Sequence, residues 1–370
     1  MSTTKSWIRP VVVVAAIGIL AAGCGSKKTA APATTAAAAV TTAKAGAAPA
    51  AGEKIVIGLI TKNATNPFFI KMTEGAKAEA AAKGVEMQTF AGTKDGDNET
   101  QVAAVETLIA AKAKGVLITP NDSKAIAPVL AKAKAAGLLT IALDTVPEPA
   151  NIVDITFATD NYLAGQLIGK WAKAKLGDKA ASAKIALLDL NADQISVDVS
   201  RDQGFLNGFG IDTVDAKKMG DEKDPRIVGN DVTSGSIEGG QKAMENLLVK
   251  NPGINVVYTI NEPAAEGAYK ALKAAGKEAG VLIVSVDGGC HGVDQVAKKV
   301  IGATSMQFPL KMASLGVDAI IELAKTGKKP ANSPGLEFFN TGVNLITDEP
   351  MAGIESLKAA DGAKICWGTI

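Results

Sequence analysis

The chain has 370 residues, of which 47% are hydrophobic, 4% aromatic and 21% charged, with 39 basic against 38 acidic side chains. At about 100–200 residues per domain, this length indicates two or three domains. The balanced charge provides no positive field to hold a phosphate backbone, so we expect no nucleic-acid partner. Three cysteines cannot form a disulfide-rich scaffold and one histidine cannot build a histidine-based zinc site, so we expect neither a metal nor a cofactor.

The N-terminus has the pattern of an export signal. A basic start precedes the apolar run Val11–Ala22, which is too short to span a membrane. The run ends in the sequence LAAGC, which resembles the lipobox of bacterial lipoproteins, whose cysteine is acylated. We predict a lipoprotein signal peptide over residues 1–24, with Cys24 anchoring the protein in the cell envelope, on the outer face of the cytoplasmic membrane. A plain secretory cut, or none, is the alternative.

The next segment, residues 25–52, consists almost entirely of Ala, Thr, Gly, Lys and Pro. It has too little apolar bulk to offset the entropy lost on ordering, so we predict a disordered tether. The folded part then begins near Glu53, and the remaining length suits two lobes of about 150 residues each.

From Lys54 onward, short β-branched runs alternate with Ala-rich amphipathic stretches, which is typical of βαβ units and a parallel sheet. The alternation restarts after Asp160, so we predict an α/β protein with two doubly wound parallel-sheet lobes. The predicted strands are Ile55–Ile60, Val85–Phe90, Gly115–Thr119, Leu139–Leu143, Lys184–Leu188, Asn255–Ile260, Val281–Val286 and Ile301–Ser305. The predicted helices are Phe68–Lys83, Glu99–Lys112, Lys124–Ala136, Tyr162–Leu176, Asp202–Phe209, Ser236–Val249, Pro263–Ala275 and Leu310–Thr326.

Polar residues cluster where these strands end, for example at Lys62, Asp144 and Asp287. The carboxyl ends of parallel strands form the ligand crevice of an open α/β sheet, and two sheets can direct both sets of ends into one cleft. Asp144 and Asp287 could serve a secreted glycosidase as its paired carboxylates. They could equally accept hydrogen bonds from vicinal sugar hydroxyls in a receptor. His291 is predicted to be a solvated loop residue.

A set of short motifs, in family order, resembles the ribose-binding-protein family of solute receptors for ABC transporters. The resemblance implies the type I periplasmic-binding-protein fold, whose two lobes are joined by a three-strand hinge. The sequence around Cys290 and Cys366 most resembles fructose-type receptors. The matching motifs are Thr65-Asn66-Pro67-Phe68-Phe69, Ala142-Leu143-Asp144, Thr159-Asp160-Asn161, Arg201-Asp202-Gln203-Gly204-Phe205, Asn261-Glu262, Val286-Asp287-Gly288-Gly289 and Ala303-Thr304-Ser305-Met306-Gln307.

The resemblance also implies the lobe boundaries, because the family's chain crosses between lobes three times. The crossings fall near residues 159–160, 307–308 and 341–342. The N-terminal lobe is then 53–159 plus 308–341, and the C-terminal lobe is 160–307 plus 342–370.

By the same resemblance, Phe68 and Phe69 match the tandem aromatics that sandwich the sugar ring. Carboxylates, one per lobe, an arginine fork and several amides would bind the hydroxyls. The resemblance implies eight ligand-binding residues, and the position of Lys62 at the end of the first strand adds a ninth. The predicted set is Lys62, Asn66, Phe68, Phe69, Asp144, Arg201, Asn261, Asp287 and Gln307.

The chain departs from the family pattern at Lys62, where ribose receptors carry a small serine, and at Thr145, where the family often has arginine. These departures argue against ribose itself. The polar segment 230–234 also lacks a second family aromatic, which suggests a more hydrophilic or roomier pocket.

Two cysteines remain once Cys24 is acylated, and an oxidising exterior favours a disulfide between Cys290 and Cys366. Two buried free thiols are the alternative.

Together these features predict a monomeric, lipid-anchored receptor, with no enzymatic activity, that binds fructose or a similar monosaccharide and delivers it to an ABC permease. The alternatives are a receptor for a sugar alcohol such as xylitol or for a signalling sugar, and a secreted sugar-cleaving enzyme.

Overall fold

The computed structural model describes residues 55–369. The predicted signal peptide, Cys24 and the tether lie outside the described residues. The strands are β1 (Val56–Thr61), β2 (Glu86–Ala91), β3 (Gly115–Ile118), β4 (Leu139–Leu143), β5 (Ile155–Ala158), β6 (Ile185–Asp189), β7 (Ile227–Val232), β8 (Val256–Thr259), β9 (Leu282–Asp287), β10 (Ala303–Met306), β11 (Phe339–Asn340) and β12 (Asn344–Ile346). The helices are α1 (Pro67–Ala82), α2 (Asn98–Ala110), α3 (Ala127–Ala135), α4 (Asn161–Leu176), α5 (Ser196–Phe209), α6 (Ile237–Lys250), α7 (Glu262–Ala274), α8 (Cys290–Ala297), α9 (Pro309–Thr326) and α10 (Ala359–Gly362).

The strands form two six-stranded sheets, in the orders β11-β5-β4-β3-β1-β2 and β12-β10-β9-β8-β6-β7. The first sheet is parallel throughout, and in the second sheet β12 runs antiparallel to β10. In both sheets the strand order reverses beside the first strand of the lobe, between β1 and β3 and between β6 and β8. Such switch points are where open α/β sheets bind ligands.

Helices cover both faces of each sheet, as the near-continuous apolar strands require. Side chains alternate along a strand, so Leu59 packs in one apolar layer of the first lobe, with Phe68 and Met312. Its neighbour Ile60 packs in the opposite layer, with Leu108. The second lobe repeats this arrangement with two layers of its own.

The chain passes between the sheets three times. The first passage follows β5, the second follows β10, and the third joins β11 of the first sheet to β12 of the second. We propose residues 159–160, 307–308 and 341–342 as the lobe boundaries. Among residues 55–369, no helix is both long enough and apolar enough to cross a membrane.

Several elements differ from the sequence-based expectation. His291 lies in helix α8 and not in a loop, and its ring nitrogen Nε2 is 3.2 Å from Glu266 on α7. Helix α5 begins at Ser196, six residues before the predicted start at Asp202. Strand β7 includes the first part of the polar segment 230–234, for which the sequence predicts no strand. It lies at the edge of its sheet and is only partly buried, so it lacks an apolar run.

Candidate functional site

All the predicted ligand-binding side chains line one cavity between the carboxyl edges of the two sheets. Lys62 follows β1 and Asp144 follows β4 in the first lobe, whereas Asp287 ends β9 and Gln307 follows β10 in the second. They are buried in the closed arrangement: Lys62 is 2% exposed and Asp287 is 4% exposed. The cavity is lined by Lys62, Asn66, Phe68, Phe69, Asp95, Asp144, Leu190, Val197, Arg201, Ile260, Asn261, Asp287 and Gln307.

Both central aspartates have an unusual backbone. The φ angle of Asp144 is 64° and that of Asp287 is 147°, values that residues with a side chain rarely adopt. Such strain persists only where the surrounding structure enforces it, and it concentrates at binding sites. The two carboxyl groups are therefore held in place by the ends of β4 and β9.

Arg201 is brought to the cavity by the close packing of α4 and α5. A Cβ on Gly165 of α4 would lie 2.1 Å from the carbonyl oxygen of Arg201, so only glycine allows the two backbones to approach this closely. The guanidinium is then fixed by two hydrogen bonds within the second lobe. Its Nε donates to Oδ1 of Asn161 at 2.8 Å, and its Nη1 donates to the carbonyl of Ile260 at 2.9 Å.

The guanidinium of Arg201 lies between the two aspartates. Its Nη2 is 3.7 Å from Oδ1 of Asp144, and its Nη1 is 3.9 Å from Oδ1 of Asp287. These distances allow charge attraction but exceed a hydrogen bond, so the facing groups retain donors and acceptors for a ligand. A planar guanidinium and two carboxylates can together hold several adjacent hydroxyl groups.

Asp287 titrates close to neutral pH. Burial raises the pKa of Asp287 to about 7, although the charge of Arg201 and a 2.9 Å hydrogen bond from Nε2 of Gln307 oppose the rise. Behind it, Glu262 accepts hydrogen bonds from the N–H groups of Gly288 and Gly289. Burial and the nearby charge of Asp287 raise the pKa of Glu262 to about 8.

Lys62 extends the polar wall on the first-lobe side. Its Nζ is 3.9 Å from Oδ2 of Asp144. Burial lowers the pKa of Lys62, while the charges of Asp144 and Asp95 oppose that change. The site therefore has two cationic side chains among three carboxyl groups.

Asp95 is a site residue that the sequence analysis missed. It lies in the loop after β2, and its Oδ2 accepts a 2.6 Å hydrogen bond from Nδ2 of Asn63. Burial raises the pKa of Asp95, and the charge of Lys62 opposes the rise. The loop stands at the same carboxyl edge as the other site loops, so the strand-end argument, applied to β2, would have indicated it.

The side-chain amides of the site have two different roles: two of them cap helices, and the third has an oxygen free for a ligand. Asn66 and Asn261 cap helices: their Oδ1 atoms accept hydrogen bonds from the backbone N–H groups of Phe68 and Ala264. Gln307 differs, because its buried Oε1 has no hydrogen-bond partner among the residues that the structure describes. That oxygen is an acceptor available to a ligand hydroxyl.

Phe68 and Phe69 contact each other in this structure, and their stacking on a sugar ring stays a prediction. Their ring centroids are 5.4 Å apart and their planes meet at 84°, so the two rings touch edge to face. The second lobe contributes aliphatic side chains to the cavity, from Leu190, Val197 and Ile260. The sequence analysis missed these three because isolated aliphatic residues carry no binding motif.

The lobes are in contact beside the cavity. On α5, the backbone N–H of Ser196 donates to Oγ of Ser123 at 2.9 Å, and Oγ of Ser196 donates to the carbonyl of Val146 at 2.6 Å. These bonds join the second lobe to the first. The structure therefore shows the closed form.

A disulfide joins Cys290, at the start of α8, to Cys366 in the C-terminal segment, with their Cα atoms 4.9 Å apart. It anchors this segment beside the loop that follows Asp287.

Comparisons with known proteins agree with this fold. The periplasmic binding protein domain family matches residues 57–329. The chain is 30% identical to the ribose import binding protein of Haemophilus influenzae, over 77% of this chain and 90% of that one. It is 27% identical to the D-allose-binding periplasmic protein of Escherichia coli, over 73% of this chain and 85% of that one.

Among solved structures, an ABC transporter periplasmic solute binding protein from Actinobacillus succinogenes 130z, with bound D-allose, is similar. Its TM-score is 0.67 at 25% identity, and the match covers 80% of this chain and 98% of that one. Two α/β lobes around a polar cleft define a type I periplasmic binding protein. The chain belongs to the periplasmic binding protein family, among its ribose-binding-like, sugar-binding receptors of ABC transporters.

Proposed function

We propose that the protein is the extracytoplasmic receptor of a sugar importer, and that it encloses one monosaccharide of the ribose and allose kind between its lobes without making or breaking a bond. The observation that carries this proposal is the position of Arg201 between Asp144 and Asp287, within 4 Å of both. A neutral polyol satisfies such a cluster, since each hydroxyl both donates and accepts.

Binding and closure are coupled in this proposal. Asp144 belongs to the first lobe and Asp287 to the second, so a sugar that bonds to both favours the closed form. The relatives of this chain are substrate-binding proteins, which supports a receptor over an enzyme. We propose, as before, a lipid anchor at Cys24 and a monomeric state.

Lys62 favours a hexose over ribose as the ligand. Its long side chain lines the cavity and presents a charged donor there. By the family resemblance, this is a position where ribose receptors carry a small serine. D-allose is consistent with this preference for a hexose, as are fructose and other hexoses that extend a hydroxyl toward Lys62.

A thermal-shift screen of the purified protein against D-ribose, D-allose, D-fructose and xylitol tests the proposal. A sugar present at 100 times its dissociation constant stabilises the folded form by about 2.7 kcal/mol, which gives a clear rise in melting temperature. We expect at least one hexose to produce it and to be recovered unchanged. Failure of every sugar contradicts the proposal, and a cleaved or altered sugar indicates an enzyme.

Two substitutions at Lys62 test the preference for hexose. We expect Lys62→Ser to weaken hexose binding about tenfold or more, because a charge-assisted hydrogen bond is lost, while binding of D-ribose weakens less. Lys62→Met is the matched control, since it keeps the length of the side chain and removes its charge. Calorimetry on each variant gives the hexose-to-ribose ratio, and an unchanged ratio in both contradicts a role for Lys62 in selection.

A further inference from the structure

The C-terminal segment places an indole between the two lobes. Trp367 is 6% exposed, and its ring lies edge-on against the ring of Phe68 in the first lobe, with 5.5 Å between the centroids. The indole Nε1–H donates a 2.9 Å hydrogen bond to the carbonyl of Gln307. Both partners of Trp367 also line the cavity, so the indole contacts the site from outside, on both sides of the cleft.

The anchors of Trp367 belong to the second lobe. Its neighbour Cys366 forms the disulfide with Cys290, and the backbone N–H of Cys290 donates to the carbonyl of Trp367 at 2.8 Å. Trp367 also pairs with Gly289 in a parallel bridge, and a Cβ on Gly289 would lie 3.3 Å from the indole ring. A hinge motion that opens the cleft therefore carries Trp367 away from Phe68.

We propose that Trp367 is an interlobe latch: a positioning residue, held to the second lobe by the disulfide, that packs against Phe68 on closure and slows release of the sugar. This inference rests on the proposed function. Buried aromatic pairs in edge-to-face contact attract each other beyond the effect of area burial. Because the contact exists only when the lobes are closed, it shifts the equilibrium toward the closed form. It also holds one edge of Phe68, whose ring meets Phe69 at 84°.

Trp171 offers a matched control. It is fully buried in the second lobe, and its indole Nε1–H also donates to a carbonyl, that of Glu349, at 2.8 Å. It packs in the core layer of that lobe and does not line the cavity. Replacing either tryptophan with phenylalanine removes the same hydrogen bond, but only at Trp367 does the change reach the interlobe contact.

The test measures the dissociation rate of D-allose, or of the tightest sugar in the screen, by stopped flow. We expect Trp367→Ala to release the sugar about tenfold faster, and Trp367→Phe about threefold faster, because a phenyl ring keeps part of the contact with Phe68. Trp171→Phe should stay within about twofold of the original protein. A merely structural role would lower the melting temperature and the fraction of active protein but leave this rate unchanged. Equal rates in the original protein and both Trp367 variants overturn the latch.

A second variant separates the disulfide from the indole. In the double variant Cys290→Ser, Cys366→Ser, the segment loses its covalent anchor, so we expect release to accelerate toward the rate of Trp367→Ala. An unchanged rate removes the disulfide from the proposal.

If the original protein binds no sugar, the proposed function fails. The latch is then tested without ligand, by small-angle X-ray scattering. A larger radius of gyration in Trp367→Ala than in the original protein supports the latch, and equal radii overturn it.

Discussion

At the scale of single residues, the site contains several charged side chains that are almost completely buried. Asp144, Arg201 and Asp287 are each at most 4% exposed, and the distances between their charged atoms are too long for direct hydrogen bonds. The groups are held apart because Asp144 follows β4 in the first lobe, whereas Asp287 ends β9 and Arg201 lies on α5 in the second lobe. This separation is what leaves them free to bind hydroxyl groups.

Replacing Asp287 with alanine should abolish most sugar binding. The variant loses the hydrogen bonds between this carboxyl group and the sugar. Each is worth about 1.5–3 kcal/mol when the carboxyl is ionised, so we expect at least about a hundredfold loss of affinity by calorimetry at pH 8, above the pKa of Asp287. The unliganded protein should stay folded, because the change also relieves the repulsion between Asp287 and Glu262. Asp294→Ala on α8 is the control and should bind normally; near-native affinity in Asp287→Ala would remove Asp287 from the site.

At the scale of elements, α5 links the fold to the site. It carries Arg201, and it can approach α4 only because glycines face each other: a Cβ on Gly165 or on Gly204 would lie within 2.2 Å of a carbonyl oxygen of the other helix. The position of the guanidinium therefore depends on residues that never touch the cavity.

Gly165→Ala tests this dependence. The added methyl group must push α4 and α5 apart, an overpacking that typically costs about 1–3 kcal/mol, so we expect a lower melting temperature and weaker sugar binding. Gly280→Ala is the control, because a Cβ there meets open space. If both variants melt and bind alike, the close approach does not position Arg201.

The buried acids on α5 should make stability depend on pH. Burial raises the pKa of Asp202 to about 8 and that of Asp198 to about 7. The folded protein therefore holds protons that the unfolded chain releases near pH 4, so this stabilisation is present at low pH and is lost as pH rises from about 4 to 8. We expect the unliganded protein to melt several degrees lower at pH 8 than at pH 5. Asp202→Asn should flatten that slope, whereas the exposed Asp212→Asn should not; equal slopes in all three proteins would contradict the assignment.

The sequence predicts all the internal strands except β5, but of the edge strands it predicts only β2. β1, β3 and β4 are buried on both faces and so appear as continuous apolar runs. β7 lies at an edge, and its polar residues interrupt the apolar run by which a strand is recognised in the sequence. The first six residues of α5 were missed because Asp198 and Arg201 are buried despite their charge, whereas charged residues are usually exposed. The motif residues follow strand ends and could be identified locally, whereas the contact of Trp367 with Phe68 depends on the folded chain.

At the scale of the whole molecule, attachment to the membrane is the main prediction. Because the sequence before the folded part resembles a lipobox followed by a polar tether, we expect Cys24→Ser to release the protein into the medium or the soluble envelope fraction. Fractionation and immunoblotting measure this, with Cys366→Ser as the control for replacing a cysteine elsewhere in the chain. A Cys24→Ser protein that stays as firmly bound as the original contradicts the lipid anchor.

The placement of β11 and β12 also constrains how the protein is made. One short stretch, residues 339–346, supplies the last edge strand of both sheets, pairing with β5 in the first and β10 in the second. A chain growing from its N-terminus therefore cannot complete one lobe well ahead of the other, although the first lobe's leading strands emerge early. A product that stops before residue 339 would leave β5 and β10 as unpaired edges, which promote aggregation. Premature termination in this region should thus leave both lobes incomplete and yield an insoluble fragment. In a protein whose two domains follow one another along the chain, the same truncation would leave the first domain intact.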